Sequence, residues 1–87
     1  MSDKGLPRVR VLLRPDCHLC HVALERIDAL SESGGGFELE LIDIDSDPDL
    51  FRANLERIPV VEVDGQPVSE LEFDEAAFLS ALDPAQG

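Results

Sequence analysis

Near the start of the chain an amphipathic helical pattern lies between two strand patterns, and this order constrains the fold more than any other feature. Val9-Arg10-Val11-Leu12-Leu13 is a short, β-branched, mostly apolar run of the kind buried in a sheet, and Pro15 and Asp16 end it. Asp16 is a good N-cap. Leu19, Ala23, Ile27 and Leu30 then recur at helical spacing, with His21, Glu25, Asp28 and Glu32 on the other faces. Gly34-Gly35-Gly36 ends the helix, since residues without Cβ accept the backbone angles of a reversal. Phe37-Glu38-Leu39-Glu40-Leu41 alternates apolar and charged residues, and Ile42 and Ile44 continue it out of phase, a sign of a bulge or of the strand's end. Strand, helix and strand make a βαβ unit, whose strands are parallel and whose crossover is right-handed.

Asp47-Pro48 sets a cap and a first-turn proline in the order that opens a helix, for which Leu50, Phe51 and Leu55 supply an apolar stripe. Pro59–Val63, Asp64-Gly65 and Gln66–Ser69 read as a hairpin closed by a two-residue turn. Pro67 cannot donate a ladder hydrogen bond, which puts the fourth strand at an edge. Asp74 caps a last helix through Ala77, Phe78, Ala81 and Leu82. The predicted order is βαβαββα, one α/β domain over residues 1–87, loose only in its first few residues and at Pro84–Gly87.

Nineteen acidic residues against seven basic ones give a formal charge of -12, which repels nucleic acid and anionic lipid at long range. No apolar run reaches membrane-spanning length, and the N-terminal segment lacks a signal-peptide pattern. The expected compartment is the cytoplasm. There a Cys-x-x-Cys pair binds metal or exchanges electrons.

All the cysteines and histidines fall in Cys17-His18-Leu19-Cys20-His21. Cys-x-x-Cys-His is also the attachment signature of c-type haem, but the sole methionine is Met1 and no histidine outside the motif remains to reach the opposite haem face. A structural zinc site needs a second ligand pair, which the chain lacks, so a metal would have to link two molecules. A dithiol needs only what is present. Cys17 at the start of the helix meets free N–H groups and the helix dipole, which lower a thiol pKa and make it the nucleophile. Cys20, one turn on, can resolve a mixed disulfide. His18, when charged, would support the thiolate; Arg14 would support it or attract an anionic substrate; His21 is expected simply at the surface.

These residues resemble the glutaredoxin branch of the thioredoxin superfamily. VLLRPDCHLC matches its first strand and helix, Arg14 its basic residue three positions before the first cysteine, and IPVVEVDG its cis-proline motif at Ile58-Pro59. The resemblance runs over nearly the whole chain. It implies a thioredoxin fold with a four-stranded mixed sheet and helices on both faces, with Cys17 and Cys20 in the nucleophilic and resolving positions. A cis bond before Pro59 would turn the N–H and C=O of Ile58 outward, an edge for an extended peptide.

Two departures bear on substrate. His18-Leu19 stands where glutaredoxins commonly have Pro-Tyr, and Ser69-Glu70 replaces the Gly-Gly of glutathione-using members, placing a negative charge where a carboxylate-bearing ligand would bind. The chain looks most like a small glutaredoxin-like family with a Cys-His-Leu-Cys site. Asp74 and Glu75 match the acidic region that receives a ligand amine in glutaredoxins. The expected function is thiol–disulfide oxidoreductase, with catalytic Cys17 and Cys20 and substrate-binding Arg14, His18, Ile58 and Pro59. No cofactor or metal is expected, and glutathione enters only as a reductant or substrate, against which Ser69-Glu70 argue. The expected partner of this monomer is a disulfide-containing protein or small thiol. The alternatives are a non-enzymatic thioredoxin-fold binding module with an acidic surface, and a metal-linked dimer through the Cys-x-x-Cys.

Overall fold

The computed structural model describes residues 6–32 and 36–82; the loose termini and Gly34-Gly35 read from the sequence lie outside the described residues. β1 (Arg8–Leu13), α1 (His18–Glu32), β2 (Glu38–Asp43), a 3-10 turn (Ile44–Ser46), α2 (Pro48–Asn54), β3 (Val60–Val63), β4 (Gln66–Glu70) and α3 (Glu75–Leu82) follow the expected order. The sheet runs β2-β1-β3-β4, with β1 parallel to β2 and antiparallel to β3, and β3 antiparallel to β4.

The phase shift after Leu41 is no bulge: Ile42 and Asp43 stay in register with Leu12 and Leu13, and β2 ends at Asp43. Ile44 leaves the ladder and turns inward, fully buried, at the head of the 3-10 turn, while the Asp43 carboxylate accepts the Asp45 N–H at 2.8 Å. Asp47 caps α2 by accepting the Asp49 N–H at 2.8 Å, and Pro48 follows in the first turn.

Alternation along the two central strands sorts side chains to two faces. Val9, Val11, Val61 and Val63 share a core with Ile27 of α1 and Phe78 of α3, and Phe37 and Phe73 meet the Phe78 ring with centroids 5.6 and 5.3 Å away. On the opposite face Leu12 and Val60 gather with Ile44, Ile58 and Cys20, and Leu50 brings α2 to this cluster. Two residues back from Leu12, this face carries ion pairs instead: Arg10 lies 3.8 Å from Glu40 and 3.5 Å from Glu62. Helices thus cover one face of the sheet and the cysteine end of the other.

Pro67 does lie in an edge strand, opposite Glu62, beside a register shift that leaves Val68 as the extra residue. Asp64 and Gly65 form the hairpin turn at φ 52° and 85°. Asp64 is also tied to β1, its N–H donating to the Arg8 carbonyl at 2.8 Å and its Oδ1 accepting the Arg8 N–H at 3.0 Å.

Candidate active site

The helix starts at His18, so Cys17 rather than the expected Asp16 holds the cap position of α1. The Cys17 carbonyl accepts the His21 N–H at 3.1 Å, and its Sγ accepts the Cys20 N–H, also at 3.1 Å. Sulfur here takes the place of the oxygen that a capping Ser or Asp offers. Cys17 is half-buried. Cys20 is only 1% exposed and packs among Leu12, Ile44, Ile58 and Val60. The two are joined as a disulfide, with Cα atoms 5.1 Å apart. A half-buried cysteine followed by a fully buried one is the asymmetry that an attacking and a resolving thiol require.

The Ile58-Pro59 bond is cis, and both residues are buried, Ile58 in the same cluster as the cysteines. The Ile58 N–H donates to the Asn54 carbonyl at 3.1 Å, so the donor half of the peptide-pairing edge expected there is already engaged within the chain. Leu71, at φ 63°, donates its N–H to the carbonyls of Arg57 and Pro59, both at 3.1 Å, which ties the segment after β4 to the cis-proline.

The Arg14 Nε donates to Asp45 at 3.0 Å, and its guanidinium carbon lies 5.2 Å from the centre of the Phe51 ring. Its charge is matched within the chain, and it braces the 3-10 turn against α2. His18 is exposed on the first turn of α1. His21, expected simply at the surface, uses its ring Nε2 to donate to the Pro15 carbonyl at 2.9 Å, pinning the loop that delivers Cys17. No periodicity signals a ring that reaches back across a loop. The nearest sequence signal is its place one turn after Cys17.

Where the resemblance calls for Gly-Gly, Ser69 is buried, its Oγ accepting the Asp74 N–H at 2.9 Å and donating to the Glu72 carbonyl at 3.2 Å. Glu70 receives both Nε and Nη2 of Arg57, at 3.0 and 2.5 Å. The negative charge expected there is therefore already paired. Asp74 caps α3 through the Ala77 N–H at 3.0 Å, and Glu75 pairs with Arg26 at 2.5 Å, so both acids offered for a ligand amine have partners in the chain. Among the described residues no three His, Cys, Asp or Glu side chains gather as a metal site.

A mixed sheet in the order β2-β1-β3-β4, a cysteine pair beyond the end of β1 and a cis-proline just before β3 define a thioredoxin fold. Residues 8–83 match the Glutaredoxin-like domain (DUF836), and the chain belongs to that family. It is similar to protein Ne2328 from Nitrosomonas europaea, solved by NMR, at 25% identity over 95% of this chain and 99% of that one, with a TM-score of 0.79. It also resembles the structure of the first two thioredoxin domains of Eps1p from Naumovozyma dairenensis, at 20% identity and a TM-score of 0.54, a likeness of fold alone that covers 94% of this chain and 37% of that one. No curated protein matches the chain.

Proposed function

We propose that the protein is a thiol–disulfide oxidoreductase in which Cys17 attacks and Cys20 resolves. The observation that carries this reading is the Cys20 N–H aimed at the Cys17 Sγ at 3.1 Å. A donor in that place favours the thiolate over the thiol, and the start of a 15-residue helix adds its dipole. In the reduced protein the Cys17 thiolate attacks one sulfur of a substrate disulfide; that bond breaks, one substrate thiolate leaves and the other half stays joined to Cys17. Cys20, losing its proton, attacks the Cys17 sulfur, expels the second substrate thiolate and closes the Cys17–Cys20 bond. Two electrons pass to the substrate, and a small thiol or a protein dithiol restores the reduced pair.

Ile58 and Pro59 offer the docking edge beside the sulfurs, and His18 borders the entry to Cys17. Arg14, held by Asp45, serves by fixing the turn against which the site is built. Burial of Ser69 and pairing of Glu70 leave no glycine pair for glutathione to approach closely, which favours a protein disulfide over glutathione as substrate. No helix among the described residues is long and apolar enough to cross a membrane, and the reducing cytoplasm suits a monomer working in the reductive direction.

The test is a trapping pair of variants, each challenged with hydroxyethyl disulfide. Cys20→Ser should stop after the first step and accumulate a mixed disulfide at Cys17, visible as one mass adduct. Cys17→Ser should form none. An adduct on Cys20 rather than Cys17 would reverse the assigned roles, and no adduct on either variant would leave a binding module as the better account.

A further inference from the structure

A cleft of about 300 Å³ opens between the first turns of α1 and the segment joining β4 to α3, and one of its lining residues, Leu19, stands between the two cysteines in the chain. Leu19 and Val22 line it from α1, and Phe73 lines it from the other side. Both sides are tied to the site through the chain. Leu19 precedes Cys20 in the helix, and Leu71, two residues before Phe73, is bonded to the Pro59 carbonyl. Leu19 and Val22 are 38% and 39% exposed, apolar surface that the fold itself leaves open to water.

The charges around this cleft have one sign left over. Arg26 is the cation among its lining residues, and its Nε and Nη2 both donate to the Glu75 carboxylate, at 3.2 and 2.5 Å. Among the described residues Glu72, also in the lining, has no ion pair, and neither has Asp16 beside Cys17. The pairing extends beyond the cleft, because every arginine among the described residues is matched to an acid: Arg8, Arg10, Arg14, Arg26, Arg52 and Arg57. An anionic disulfide approaching Cys17 meets no unmatched arginine. A cationic one meets Asp16 next to Cys17 and, in the cleft, Glu72, and attraction of this kind is weakened by added salt.

Resting on the oxidoreductase reading, we infer that the substrate is a disulfide in a protein segment carrying a basic residue and a bulky apolar residue close to the cysteine. The apolar side chain occupies the Leu19–Val22–Phe73 cleft and the basic one faces Glu72. Electron flow is unchanged: the segment's disulfide is reduced, the Cys17–Cys20 pair is oxidised, and an external dithiol reductant resets it.

Single-turnover rates of the fully reduced protein would be compared on three synthetic peptides, each disulfide-linked to mercaptoethanol. Their cysteine is flanked by Lys and Phe, by Glu and Phe, or by Lys and Ser, and hydroxyethyl disulfide serves as the uncharged small reference. The Lys–Phe peptide should react about fivefold faster than the Glu–Phe peptide at low ionic strength, a contrast that falls below about twofold in 0.5 M salt. It should exceed the Lys–Ser peptide by about tenfold, from burial of part of the ring. Glu72→Lys should remove or invert the charge preference. Equal rates on all three peptides, with hydroxyethyl disulfide reacting, would overturn the substrate class alone, and so would a preference for the acidic peptide. Failure to react even with hydroxyethyl disulfide would overturn the oxidoreductase reading and this inference with it.

Discussion

Two hydrogen bonds shape the loop that carries Cys17, one at each side of it. On the helix side the Cys20 N–H holds the Cys17 sulfur at 3.1 Å, and on the strand side the His21 ring holds the Pro15 carbonyl at 2.9 Å. A carbonyl only accepts, so the proton of that second bond belongs to Nε2. The His21→Ala variant loses the pin. Because the bond is exposed, the expected destabilisation is about 0.5–1.5 kcal/mol in urea unfolding. The larger effect should be kinetic, with slower mixed-disulfide formation at Cys17 while the Cys17→Ser background stays inert. His21→Gln, whose amide can donate to the same carbonyl, should recover part of the rate. A His21→Ala rate equal to the parent's would remove His21 from the positioning of Cys17.

At the scale of elements, the sequence announced what local chemistry decides. The Asp47-Pro48 start, the Asp64-Gly65 turn and the Asp74 cap stand where read, because each is fixed by residues within three positions of one another. The start of α1 was misplaced by one residue, since a cysteine is a rarer cap than an aspartate. Bonds that join distant segments stayed hidden: Arg14 finds Asp45 across 31 positions and Arg26 finds Glu75 across 49, and no spacing rule marks such pairs. The commitment of the Ile58 N–H to Asn54 was equally silent, because it depends on how α2 ends. Asp47→Ala should cost about 1 kcal/mol, the usual value of a lost cap, and leave the redox chemistry intact. In the hairpin turn, a Cβ at Gly65 would meet nothing within 4 Å, so Gly65→Ala should cost only what its φ of 85° imposes. That is about 1 kcal/mol, and calorimetry should show it as a shift in Tm with no change in fold.

For the whole molecule, Phe78 joins α3 to both central strands, and the net charge of -12 presses outward on that packing. Phe78→Ala should cost about 3–5 kcal/mol, enough to unfold much of so small a domain, whereas Phe78→Leu should cost far less. With the arginines already paired, added salt screens mainly repulsion among the remaining acids, so Tm should rise between low salt and about 0.5 M sodium chloride. A fall in Tm over that range would mean that the ion pairs outweigh the self-repulsion. A thiol–disulfide oxidoreductase needs Cys17 and Cys20 to form a reversible two-electron couple, which the reduction potential measures. The protein would be equilibrated in graded glutathione and dithiothreitol buffers and its free thiols trapped and counted by mass. A single transition of both cysteines together, between about -200 and -300 mV, is the predicted result. Two free thiols that persist under oxidising buffer would contradict it.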